Sequence, residues 1–118
     1  MKVPRASRYD LEDRTFEFAK RVRALSKILP KTMANIEDIK QVVRASGSVG
    51  ANYIEANESL SKKDFLLRIK ICRKEAKESR YWLLLMDAGV DPTAIKQRDS
   101  LIRSDRVDEY IWSHYAQS

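Results

Sequence analysis

The stretch SKKDFLLRIKICRKEAKESRYWLLLMDAG, residues 61–89, decides the fold. Its residues Phe65, Ile69, Cys72, Ala76, Ser79, Leu83 and Met86 follow one another by alternating steps of four and three. That alternation keeps one face of an α-helix turned toward a partner, as in a coiled-coil seam. Ser61 is an N-cap residue with Asp64 three positions on, which is capping-box spacing. Gly89 supplies a left-handed stop at the other end. The segment is a long helix in this reading, and a single apolar seam needs other helices to cover it.

Upstream, the same alternation runs through Ile36, Ile39, Val43, Ser46, Gly50, Tyr53 and Asn57, with Asn35 as the opening cap and Asp38 three residues later. The small-residue run from Ala45 to Ala51 has the composition of a loop, because each glycine costs about 1 kcal/mol in a helix. The seam crosses it without a change of phase. It is therefore read as continuous helix whose small side chains let a neighbour come close. Earlier still, Leu11, Thr15, Phe18, Val22, Leu25 and Leu29 form a further seam, capped by Asp10 and stopped by Pro30. Residues 1–9 are read as a loose basic arm. Downstream, Asp91 and Pro92 open a fourth helix carrying Ile95, Leu101, Ile102, Val107, Tyr110, Ile111 and Tyr115. Its phase slips near Ser104 and Asp105, where a bend or short break is expected. Four helices with short connections predict an all-α, antiparallel up-down four-helix bundle, one domain over residues 1–118.

The 118 residues include one cysteine, one histidine and 23 Lys+Arg against 17 Asp+Glu, a net charge of +6. One cysteine excludes a disulfide scaffold and any paired-cysteine zinc site. The longest apolar run, Tyr81 to Met86, is six residues, against the roughly 20 needed to span a bilayer. No apolar stretch follows the charges at the start of the chain, so no secretory signal is expected. A soluble, cytoplasmic protein without a membrane partner follows from these features.

Enzymatic chemistry finds little support. A di-iron bundle needs Glu-x-x-His on two helices, yet His114 is the single histidine and Ile111 stands at the glutamate position. Cys72 lies on the seam, where it acts as a small buried hydrophobe rather than a nucleophile paired with His114. Gly47 and Gly50 have neither phosphate-loop nor dinucleotide-binding spacing. Arg106 and His114 are separated by seven residues, wider than the four to six of certain helical-bundle ribonucleases. Glu55, Glu58, Glu75 and Glu78 can gather between the second and third helices, where pairing with Arg44 or Lys74, or plain solvation, is expected over metal binding. No catalytic residue, metal, cofactor or small-molecule substrate is assigned.

The charge is more informative. Between residues 62 and 80, eight basic residues stand against three acidic ones, leaving +5 of the chain's +6. At about 100° per residue, Lys63, Lys70, Lys74 and Lys77 fall within about 60° of one another, flanked by Lys62, Arg73 and Arg80. Such a row suits a phosphate backbone and gains affinity by counterion release. The plainer reading is a solvated lysine face. Few aromatics interleave with these cations, so base stacking is not expected. A third sector holds Leu67, Ile71, Trp82 and Leu85. A monomeric bundle helix needs one apolar stripe, so this second one is read as a subunit interface in preference to an unusually wide core.

Two stretches also resemble a known family. Arg44-Ala45-Ser46 with Ser48-Val49-Gly50-Ala51-Asn52-Tyr53-Ile54-Glu55-Ala56 is similar to the Arg-x-x-Ser-Val/Ile-x-x-Asn-Ile-x-Glu-Gly signature of the small four-helix-bundle proteins encoded in intervening sequences of bacterial 23S ribosomal RNA genes. Lys63-Asp64-Phe65 and the run from Lys74 to Leu83 resemble that family's third helix. Ala56 departs from the signature, which has glycine there. The resemblance implies an antiparallel bundle that assembles into a ring-like homo-oligomer, a pentamer. It also implies a fold related to the accessory variability protein of diversity-generating retroelements, and it carries no agreed active site. The combined expectation is a non-enzymatic homo-oligomer that binds RNA or another nucleic acid through Lys63, Lys70, Arg73, Lys74, Lys77 and Arg80. The alternative is an oligomeric scaffold that docks an acidic protein partner.

Overall fold

The computed structural model describes the backbone of residues 5–104 and the side chains from residue 11 onward. Four helices fill this span: α1 (Arg5–Ile28), α2 (Met33–Asn57), α3 (Lys62–Leu85) and α4 (Pro92–Ser104). The fold is all-α, as the seams predict, and there is no strand among the described residues.

The caps show where local chemistry sets the boundaries. Ser61 Oγ accepts from the Asp64 N–H at 3.1 Å and starts α3. Asp91 Oδ1 accepts from the Thr93 N–H at 3.0 Å and starts α4, with Pro92 in the first helical position where a missing N–H costs nothing. α2 begins three residues earlier than expected, because Thr32 is the cap and its Oγ1 accepts from the Asn35 N–H. α1 begins at Arg5, so Asp10 lies within the helix and residues 5–9 are helical rather than a loose arm. Residues 1–4 of that arm, and the expected continuation of the fourth helix with Arg106, Ile111 and His114, lie outside the described residues. The run from Ala45 to Ala51 is unbroken helix.

Gly89 takes the positive φ of 73° anticipated for it, but four residues beyond the end of α3, inside the turn to α4. A Cβ there would sit 2.8 Å from Pro30 Cγ. Its role is thus to let the α3–α4 turn pass against the α1–α2 turn, while α3 itself ends at an extended Met86.

α2 and α3 make the most extensive contact, α1 lies along α2, and α4 touches α1 and α3. The chain therefore runs up and down around one core. At one end Leu11 meets Val49, Tyr53, Ala56, Ile69, Cys72 and Ala76. At the other, Phe18, Val22, Leu25 and Leu29 of the α1 seam meet Val42, Leu83, Met86, Ala94 and Leu101. Asn35 closes this second end. Its buried side chain donates to Pro30 O at 2.9 Å and Asp87 O at 2.7 Å, and its Oδ1 accepts from the Asp87 N–H at 3.0 Å. One amide thus ties both helix-connecting turns together, satisfying backbone groups that burial would otherwise strand.

Candidate nucleic-acid interface

α3 carries three sectors at once, and the structure fixes what each of them meets. The seam is in the core: Ile69, Cys72, Ala76, Ser79 and Leu83 are buried. Cys72 donates its S–H to Val49 O at 3.3 Å, and burial pushes its thiol up to about 12. A thiol held protonated in this way is neither nucleophile nor metal ligand.

On the side toward α2, Arg44 reaches Glu75 Oε2 at 3.4 Å and Glu78 Oε2 at 3.8 Å. Of the four glutamates expected to cluster, Glu75 and Glu78 gather around Arg44 and Glu55 and Glu58 do not join them; no set of metal-ligating side chains occurs among the described residues. Burial raises the pKa of Glu75; the Arg44 guanidinium opposes the shift and the neighbouring Glu78 carboxylate adds to it. Nearby, Arg68 Nη1 donates to Asn52 Oδ1, and Asn52 donates to Ser48 O and Oγ. The two stretches that carry the family resemblance therefore face each other across α2 and α3. Arg44, Ser48 and Asn52 act there as structural fasteners.

The basic sector points away from these contacts. Lys63, Lys70, Lys74, Lys77 and Arg80 are exposed, and no carboxylate is paired with Lys63, Lys70, Lys77 or Arg80 among the described residues. Arg73 differs: it is half-buried and already engaged in an interaction. From Lys63 to Lys77 the row covers about 21 Å at the rise of an α-helix. Tyr81, 56% exposed, continues it one turn beyond Lys77. Sequence reasoning passed over this ring, although the spacing from Lys63 through Lys70, Lys74 and Lys77 to Tyr81 (7, 4, 3, 4) contained it.

The third sector divides. Leu67 and Leu85 are each 54% exposed. Ile71 is half-buried. Trp82 is half-buried, packs against the large-residue core cluster and meets Tyr81 edge to face, with centroids 5.1 Å apart at 76°. A separate apolar furrow of about 460 Å³ lies between α1 and α2, floored by Ala19, Gly47, Gly50 and Ala51 and walled by exposed Phe16 and Ile54. An open hollow at the α2–α3 turn is lined by Leu60, Leu66 and Leu67 among Lys62, Lys63 and Lys70.

These features define a four-helix all-α protein whose charge and exposed apolar surface are concentrated on particular helix faces. The sequence pattern described as "23S rRNA-intervening sequence protein" matches residues 8–97, and the chain belongs to that family. Among solved structures it is similar to a protein of unknown function from the S23 ribosomal protein family of Bacteroides thetaiotaomicron. That likeness has a TM-score of 0.75 and 30% identity, over 91% of this chain and 96% of the other. No curated protein matches the chain. No helix among the described residues is long and apolar enough to cross a membrane.

Proposed function

We propose that the chain is a non-enzymatic, homo-oligomeric bundle that binds RNA through the phosphate groups facing α3. The observation that carries this reading is the row Lys63, Lys70, Lys74 and Lys77 with Arg80 beside it: exposed cations on one helix face, while Glu75 and Glu78 of the same helix turn toward Arg44. Cations already neutralised by acidic neighbours would release no counterions from a nucleic acid, whereas these do. Arg73 has the smallest part, being already engaged.

Oligomerisation is supported by the two separate apolar surfaces, Leu67 and Leu85 on α3 and the furrow between Phe16 and Ile54. A ring of identical subunits joins two different surfaces head to tail. Trp82 belongs to the bundle's own core more than to that interface.

The test is RNA binding by gel shift across a salt series. Affinity falls steeply with salt, and the triple variant Lys70→Glu, Lys74→Glu, Lys77→Glu loses it. Full affinity of that variant at moderate salt would overturn the assignment. Light scattering tests assembly, and a mass near 13.7 kDa would refute it. The hollow where Leu60 and Leu67 lie among lysines favours a second reading, a scaffold docking an acidic polypeptide. Retention of such a polypeptide in place of RNA in the same assay selects it.

A further inference from the structure

The basic row ends in an aromatic ring. Tyr81 lies one helical turn past Lys77 and two past Lys74, which places the three side chains on one face. Its ring is 56% exposed. It is also held: the edge-to-face contact with Trp82 braces it, and Trp82 is in turn packed against the core. Leu84, 53% exposed, adds an apolar shoulder on the next turn. The row of exposed cations therefore runs into an open π surface that is braced on one side by Trp82 and has an apolar margin. A duplex has no use for such a surface, because its bases are already stacked on one another. An unpaired base does, since any base offers a π face to an aromatic side chain.

We infer that Tyr81 is a stacking platform for an unpaired base, so that the α3 face prefers single-stranded or looped RNA over duplex. The inference rests on the RNA reading above and sharpens it by naming the ligand class. The lysines track phosphates on either kind of RNA; Tyr81 distinguishes between them. A ring already braced by Trp82 loses little freedom when a base settles on it, so stacking keeps most of its favourable free energy.

The experiment uses the full chain with two fluorescent RNA probes, a single-stranded oligouridylate of about 12 nucleotides and a blunt duplex of similar charge. Tyr81→Ala is expected to weaken oligouridylate binding about five-fold or more. Duplex binding and the salt dependence of both should not change, because no phosphate contact is lost. Tyr81→Phe keeps the π face and is expected to bind as wild type. In a Trp112→Phe background, oligouridylate is expected to shift the emission of Trp82, the ring against Tyr81, and duplex to leave it unchanged. If Tyr81→Ala binds oligouridylate as wild type while the triple lysine variant does not, the stacking inference is overturned and the phosphate reading stands. If wild type binds neither RNA, both are overturned.

Discussion

The two ends of the bundle hold together by different means. Where the end of α1, the start of α2, the end of α3 and α4 meet, the core is built from volume: Phe18, Leu25, Leu29, Leu83, Met86 and Leu101 fill it. Where Leu11 meets the far end of α2 and the first half of α3, the large side chains Tyr53 and Ile69 are interleaved with the small ones of Val49, Ala56, Cys72 and Ala76. There the helices come close enough for the Cys72 thiol to reach the Val49 carbonyl, and Asn57 bridges to Glu12 at 2.8 Å. Both ends are sensitive to lost volume, and the second, at its alanines, to added volume as well. A mutation series should therefore meet a second rule at the close-packed end.

The largest expected effect is at the voluminous end. Leu83→Ala removes a fully buried side chain from the middle of the cluster, and should cost about 3 kcal/mol or more in urea unfolding at fixed protein concentration. At the close-packed end, enlarging an alanine is damaging as well. Ala76→Leu, at a residue with 0% exposure, should cost about 1–3 kcal/mol by overpacking. If Ala76→Leu proved neutral, the contrast between the ends would fail.

Two glycines of α2 sharpen the comparison at finer scale. At Gly47 an added Cβ would lie 3.4 Å from the flexible guanidinium of Arg23, so Gly47→Ala should stabilise by about 0.5–1 kcal/mol through helix propensity. At Gly50 the Cβ would lie 3.2 Å from Thr15 Oγ1, in a side chain that is buried and hydrogen-bonded to Glu12 O. There the same gain is offset, and Gly50→Ala should leave the unfolding midpoint unchanged or lower.

The smallest effect is electrostatic. Burial raises the Glu75 pKa, so the native state holds that proton at pH values where the unfolded chain has released it. Stability therefore falls as pH rises through the window from the usual glutamate value to the raised one. Glu75→Gln should be at least as stable as wild type at neutral pH, with the advantage shrinking on acidification. An advantage that grew as the pH fell would contradict the burial argument.

The seams were legible in the sequence because steps of three and four report directly on one helix face, and the caps at Ser61 and Asp91 and the stop at Pro30 are local chemistry. Periodicity gives the angle of a residue around its helix but not what lies at that angle. Trp82 and Arg73 sit on sectors that looked open from the sequence, and neighbouring groups occupy both. Asn35 was legible as a polar residue near a helix start, which suggested a cap; its partners Pro30 and Asp87 are brought to it only by the fold. The lysine row was legible in full. The turning of Glu75 and Glu78 away from it was not, since that depends on Arg44 approaching them from another helix.

Asn35 and Asp87 are 52 positions apart, and the segment between them contains α2, the four-residue turn and α3. The clasp therefore makes a closed hairpin: covalent chain joins the two helices at one end, and a side-chain amide joins them at the other. A hairpin fastened at both ends has no free end from which to fray. In native-state hydrogen exchange, α2 and α3 should open together as one cooperative unit, after α1 and α4 have detached. Asn35→Ala should turn that unit into an ordinary open hairpin, with exchange spreading inward from Asp87.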